Sequence, residues 1–324
     1  MSSRSLRIVY MGTPGFAVAP LQRLVEAGYH ITAVITAPDK PAGRGKMIRG
    51  SAVKDYALAN GLSLLQPENL KDPGFVSQLS DLAPDLQVVV AFRMLPEVVW
   101  SIPPLGTFNL HASLLPDYRG AAPINHAIIN GEPRTGVTTF MIDAKIDTGN
   151  ILLQEEIPIG DQESAGDLHD RLMELGAEVV LQTVNKLAEG TLQAKSQEAL
   201  IHPQRELKIA PKIHKDTCKI DWDKPGLVIH NLVRGLSPYP AAFAFLEKEP
   251  GQTALCKIFT TKFESNSHSL TTGSILTDGK REMKVAVCDG YLQILSLQQE
   301  GKRRMNTTEF LQGVSLISGI SLFS

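Results

Sequence analysis

Apolar residues along the first half of the chain recur in two alternating periods. Compact apolar runs at 7–11, 31–36, 62–65, 86–92 and 106–112 read as strands, whereas 16–27, 51–60, 75–82 and 95–102 carry helical spacing. The punctuation agrees with that reading. Gly28 follows the first helical stretch where a left-handed residue ends a helix, and Ser51 stands as an N-cap with Gly61 closing the stretch it opens. Val88, Val89 and Val90 show no polar alternation, as in a strand covered on both faces. Strands alternating with helices predict an α/β fold with a doubly wound, mostly parallel sheet.

The pattern changes after a strand-like run at 135–142. A further strand at 151–159 leads into a long amphipathic helix over 165–188, where Leu168, Leu172, Leu175, Val179 and Leu187 fall near helical spacing and Gly190 ends it. Residues 191–208 have little apolar content and read as a linker. From Ile209 onward the segments are short and turn-punctuated, and 274–276, 284–288 and 292–297 suit an antiparallel barrel or small sandwich. The expected division is an α/β domain over 1–190, a linker over 191–208, and a smaller β domain over 209–324.

Composition narrows the class. With 324 residues and 43% hydrophobic positions, the chain has the length of about two domains at roughly 150 residues each. No stretch approaches the roughly 20 apolar residues of a membrane-spanning helix. The polar residues 1–7 leave no room for a secretory leader before the first strand, so a cytoplasmic protein is expected. Cys218, Cys256 and Cys288 offer neither a disulfide framework nor a metal knuckle. The net charge of −2 is uneven: residues 1–204 hold 16 Lys+Arg against 22 Asp+Glu, and residues 205–324 hold 16 against 12. The basic second part hints at a polyanionic partner or is ordinary surface variation.

The strongest chemical signal is the run from Phe108 to Ser113. Side chains alternate along a strand, so Asn109, His111 and Ser113 fall on one face and Phe108, Leu110 and Ala112 on the other. Polar side chains in register near the carboxyl end of a sheet strand point to a site. The alternative is a satisfied core histidine with polar neighbours. Asp147, followed by Thr148 and Gly149, is either a plain turn or a carboxylate that orients His111. Lys40, Arg44, Lys46 and Arg49 stand on a glycine-rich loop with Asp39 alone against them. Such a loop suits phosphate contacts or is simply a solvated surface. Gly12 and Gly15 lack the third glycine of a dinucleotide fingerprint, and no zinc, serine-elbow or P-loop motif is present.

Asn109 and His111, the following stretch from Ser113 through Leu114, Leu115, Pro116, Asp117, Tyr118 and Arg119 to Gly120, and Asp147 with Gly149 together resemble the 10-formyltetrahydrofolate-dependent formyltransferases. The resemblance runs from about residue 6 to about residue 312. It implies an enzyme in which Asn109, His111 and Asp147 do the chemistry, Ser113, Leu114, Leu115 and Pro116 contact the folate, and no metal takes part. The loop at 41–46 and the segments at 219–222 and 234–240 resemble those of members that formylate methionyl initiator tRNA. That implies tRNA contacts by Lys40, Arg44, Lys46 and Arg49 and an OB-like β-barrel at the C-terminus; one barrel and one α/β domain are large enough to work as a monomer. The alternatives are a sugar-nucleotide formyltransferase of the same family or a non-catalytic module binding tRNA or folate. The chain departs from the family at 91–96, where Ala91, Phe92, Arg93, Met94, Leu95 and Pro96 replace a longer Ala-Tyr-Gly segment that helps wall the pterin pocket in relatives.

Overall fold

A computed structural model describes residues 6–42, 47–201, 204–247, 253–319 and 321–324. The chain folds as two compact units. One comprises Met1–Pro123, Thr135–Ile157 and His169–Ile209; the other comprises Ile124–Arg134, Pro158–Leu168 and Ala210–Ser324.

The first unit is built on seven strands, β1 (Arg7–Gly12), β2 (His30–Ile35), β3 (Leu64–Leu65), β4 (Leu86–Val90), β5 (Thr107–His111), β6 (Arg134–Met141) and β7 (Ile151–Pro158). The helices along this part of the chain are α1 (Val18–Glu26), α2 (Ala52–Ala59), α3 (Pro73–Asp81), α4 (Glu97–Trp100), α5 (Pro123–Ile129) and α6 (Ala165–Glu189), of which α5 from Ile124 and α6 up to Leu168 belong to the second unit. The strands lie in the order β7-β6-β5-β4-β1-β2-β3. The pairs β1–β2, β1–β4, β2–β3 and β4–β5 are parallel, and β5–β6 is antiparallel. This is the mostly parallel α/β sheet that the alternating periods predict.

Local chemistry explains the element ends. Ser51 Oγ accepts from the Lys54 amide at 3.0 Å, and Asp72 accepts from the Phe75 amide at 2.9 Å ahead of Pro73. Every residue of β4 is buried, Gln87 included, which accounts for the lack of polar alternation over Val88–Val90. Val9, Met11, Ala33, Ile35, Phe75 and Val89 share one hydrophobic cluster. Leu110 packs against Gly176 of α6, where an added Cβ would come within 2.7 Å of the leucine. The chain runs outward from β1 to β3 and then returns to β4 on the other side. The carboxyl ends of β1 and β4 therefore flank the position where such sheets bind ligands.

In the second unit the strands are β8 (Ala242–Glu247), β9 (Thr253–Ser265), β10 (Ile275–Thr277), β11 (Met283–Val287), β12 (Gly290–Gln299), β13 (Met305–Asn306) and β14 (Leu322–Phe323). They lie in the order β10-β11-β12-β9-β8-β14, with β13 beside β12. A bridge between Ser274 and Leu322 joins the two edges, and the Phe323 amide donates to Gly273 O at 2.9 Å, so the barrel is nearly closed. Its core includes Trp222, Val285, Leu292, Ile294, Phe310 and Phe323. Two helices that the sequence reading does not anticipate cover it, α7 (Gly226–Leu236) and α8 (Thr307–Gly313). Their signals are present: Ile229, Val233 and Leu236 recur at helical spacing and are buried, and Asn306 with Glu309 forms a capping box. Both helices are brief and lie among strands, so short-range periodicity underweights them.

Barrel closure is sensitive at one glycine. Gly273 sits at φ +85°, and a Cβ there would lie 2.4 Å from Phe323 O. Gly273→Ala is expected to lower stability by about 1–3 kcal/mol, read as a reduced thermal midpoint. An unchanged midpoint would show that the closure yields freely.

Candidate active site

Strand β5 carries the first two polar groups. Val90 of β4 pairs with Leu110, so the chain leaves β4 through Ala91 beside His111. Asn109 is half-buried and His111 is 6% exposed, and strand alternation gives both the same face. Ser113 does not continue that row, which corrects the expected register. The strand stops at His111, and the buried Ser113 hydroxyl donates to Asp117 O at 2.8 Å. Alternation cannot locate a strand's last residue, and here a turn begins where the sequence continues the polar row.

The imidazole is held by the backbone. His111 Nε2 lies 2.8 Å from Tyr118 O. A carbonyl only accepts, so Nε2 carries the proton and the neutral ring keeps its lone pair on Nδ1. Nδ1 faces Asp147 Oδ2 across 4.0 Å, beyond hydrogen-bond length. The orientation of His111 therefore comes from Tyr118, and Asp147 stands beside the free nitrogen. Phe140 meets the imidazole edge-on at 6.4 Å between centroids.

Asp147 is fixed in turn by the main chain around it. Its Oδ2 accepts from the Gly120 amide at 3.0 Å, and its backbone adopts φ +54°. The Asp-Thr-Gly motif has a steric basis, because a Cβ on Gly149 would fall 1.7 Å from Met141 O. The motif is a turn, and the turn presents the carboxylate to the imidazole.

The expected folate-contacting segment is tightly built. Leu115 joins Phe140 and Ile151 in a small hydrophobic cluster. The Leu115 carbonyl accepts from Gln154 Nε2 at 2.7 Å and its amide donates to Thr138 Oγ1 at 3.2 Å. Leu114 packs on Gly136, and Pro116 is buried. Residues 93–96 of the departure line a cavity of about 810 Å³, walled by Glu68, Lys71, Arg93, Leu95, Glu97 and Val98 among others. Arg93 donates to the carbonyls of Pro67 and Glu68. Met94 and Val98 at its rim are 74% and 51% exposed.

The basic loop is partly described. Lys40 is exposed and pairs with Arg49 in a short antiparallel ladder, Lys40–Ala42 with Met47–Arg49. Arg44 and Lys46 lie outside the described residues. Three contributors escape sequence reading: the Tyr118 carbonyl, the Gly120 amide and Gln197, whose side chain contacts the Asp147 turn from within the expected linker. Among the described residues no group of three or more His, Cys, Asp or Glu residues could hold a metal ion, and no helix is long and apolar enough to cross a membrane.

A family model described as formyl transferase matches residues 6–184, and one described as formyl transferase, C-terminal domain, matches residues 212–315. A methionyl-tRNA formyltransferase of Bacteroides thetaiotaomicron is 52% identical over 99% of this chain and 100% of its own length. One from Parabacteroides distasonis is 54% identical over 98% of each chain. Among solved structures, the N-formyltransferase of Helicobacter canadensis, in complex with folinic acid and dTDP-3-aminofucose, superposes with a TM-score of 0.64 at 20% identity, covering 91% of this chain and 99% of its own. HypX of Aquifex aeolicus in complex with tetrahydrofolic acid gives 0.61 at 18% identity, over 96% of this chain and 48% of its own. At such identities the superpositions speak for the fold alone.

Proposed function

Because this chain belongs to the formyl transferase family, we propose that it transfers the formyl group of 10-formyltetrahydrofolate to the α-amino group of methionyl initiator tRNA. The observation that carries the chemistry is the meeting of His111 Nδ1 and the Asp147 carboxylate at 4.0 Å, at the end of the strand that bears Asn109. Full-length likeness to methionyl-tRNA formyltransferases selects the substrate.

The chain's residues divide the reaction between them. Free α-amino groups titrate near about 7.7–8.0, so a neutral fraction is available at pH 7. As that nitrogen attacks the formyl carbon, the Asn109 amide donates to the developing oxyanion. His111 Nδ1 accepts the proton that the amine loses, and Asp147 stabilises the resulting imidazolium. His111 then returns a proton to N10 as the bond from the formyl carbon to N10 breaks. The products are formylmethionyl-tRNA and tetrahydrofolate. Residues two apart on a strand stand roughly 6.6 Å from each other, which leaves room for a tetrahedral carbon between Asn109 and His111. No acyl-enzyme intervenes.

The cavity beyond β4 fits a folate in size and character, since ligand sites commonly span about 300–1,000 Å³ with a mostly apolar lining. It is lined by residues 93–98, which follow β4, and by residues 68–71. Ser113, Leu114, Leu115 and Pro116 are the residues expected to contact the folate. Lys40, Arg44, Lys46 and Arg49 meet the tRNA backbone. Replacing Arg44 and Lys46 by alanine is expected to lower the slope of log affinity against log salt by about 1.5; an unchanged slope would exclude the loop from phosphate contact. In functional terms 1–190 carries the catalytic groups and 209–324 the tRNA contacts, while the stretch expected as a linker, 191–208, is part of the first compact unit. The expected working form is a cytoplasmic monomer.

Incubation with 10-formyltetrahydrofolate and either methionyl initiator tRNA or an amino sugar nucleotide tests the reading. Formylation of the tRNA alone supports it. Formylation of the sugar alone, or of neither, overturns it.

A further inference from the structure

The stretch between the two family matches, residues 185–211, belongs to neither of them, yet it reaches the catalytic groups. Lys195 exchanges two backbone hydrogen bonds with Ile151 at 2.8 Å each, which lays the stretch along β7. Further on, Lys208 O accepts from the Tyr118 amide at 2.6 Å, the Lys208 amide donates to Asp117 Oδ1 at 3.2 Å, and Arg205 pairs with Asp117. Tyr118 is the residue whose carbonyl holds His111.

Gln197 stands between these anchors and is 1% exposed. Its Nε2 donates to Asp147 O at 3.0 Å and to Gly149 O at 2.8 Å. Its Oε1 accepts from Arg119 Nη2 at 2.7 Å and from Arg119 Nε at 3.2 Å. The amide thus uses both donors and both lone pairs. Arg119 lies between Tyr118, which fixes the imidazole, and Gly120, whose amide fixes the carboxylate. One side chain therefore ties the loop carrying Asp147 to the loop that orients His111.

We propose that Gln197 is a positioning residue for formyl transfer, setting the spacing between His111 Nδ1 and the Asp147 carboxylate by joining their two loops. The inference rests on the reading of Asp147 as part of the catalytic site. A buried amide with every hydrogen bond made is costly to replace in any role, so loss of stability alone does not identify this one. Coupling does. If Gln197 acts through Asp147, its removal costs turnover only while Asp147 is present.

The test measures kcat, both KM values and the thermal midpoint for Gln197→Glu and Gln197→Met, each alone and combined with Asp147→Ala. The glutamate keeps an acceptor for Arg119 and loses the donors to Asp147 and Gly149; the methionine keeps the volume without the hydrogen bonds. Each single variant is expected to lower kcat per folded molecule by about 10- to 100-fold, because small misplacements of a catalytic pair cost that much. Both KM values should stay within about twofold, and the kcat loss should vanish when Asp147→Ala is already present. Unchanged kcat in either folded single variant, or losses that multiply in the double variants, would overturn the proposal. Should Gln197→Met fail to fold, Gln197→Glu decides. Asp147→Ala with the parent kcat would instead remove the reading of the site itself.

Discussion

His111→Ala turns over about 10²–10⁴-fold more slowly per folded molecule than the parent chain, the span commonly lost with a general acid–base group. The size of the effect follows from the ring's two assignments. Nε2 is committed to Tyr118 O, so Nδ1 alone remains to take the proton from the attacking amine and to return one to N10. Asp147 stands 4.0 Å from that nitrogen and its Oδ2 accepts from the Gly120 amide. The variant also removes the hydrogen bond from Nε2 to Tyr118 O, at a stability cost of about 0.5–1.5 kcal/mol. The fold should persist with a lower melting midpoint. Turnover is therefore normalised to the folded fraction, measured by calorimetry alongside single-turnover formylation. If normalised turnover is retained while the midpoint falls, the histidine is a packing residue and the proposed proton transfers fail.

Asn109→Ala should slow the chemical step by about 10²–10³-fold, the usual cost of losing one oxyanion donor. Its expected signature differs from that of His111. Asn109 is half-buried and at the active end of β5, so its removal should leave stability nearly unchanged. An interaction made only as charge develops lowers kcat and kcat/KM together and spares KM. A raised KM with unchanged kcat would make Asn109 a substrate-binding group and leave the oxyanion without an assigned donor.

The first sheet is legible in the sequence because its strands are either buried on both faces, as β4 is, or bounded by caps such as Ser51 and Asp72. The barrel is less so. Its helices α7 and α8 are brief, and the pairing that closes it joins Ser274 to Leu322 across most of the unit. Such pairing leaves no local trace. Within the site, Asn109 and His111 are readable because they share a strand. Ser113 misleads, since alternation continues on paper where the strand has ended in a turn closed by its own hydroxyl. Gln197 is hidden by its surroundings: a stretch poor in apolar residues reads as a connection, although its amide is buried and fully bonded.

The order of residues alone determined the α/β alternation, the face shared by Asn109 and His111, and, through a resemblance spanning nearly the whole chain, membership of the formyltransferases. Those properties are local or are carried by contiguous motifs. Folding alone decided which nitrogen of the imidazole is free, what holds it, and how near a carboxylate from a distant turn comes to it. The groups responsible are the Tyr118 carbonyl and the Gly120 amide. Every residue has such backbone groups, so only their arrangement in space distinguishes them.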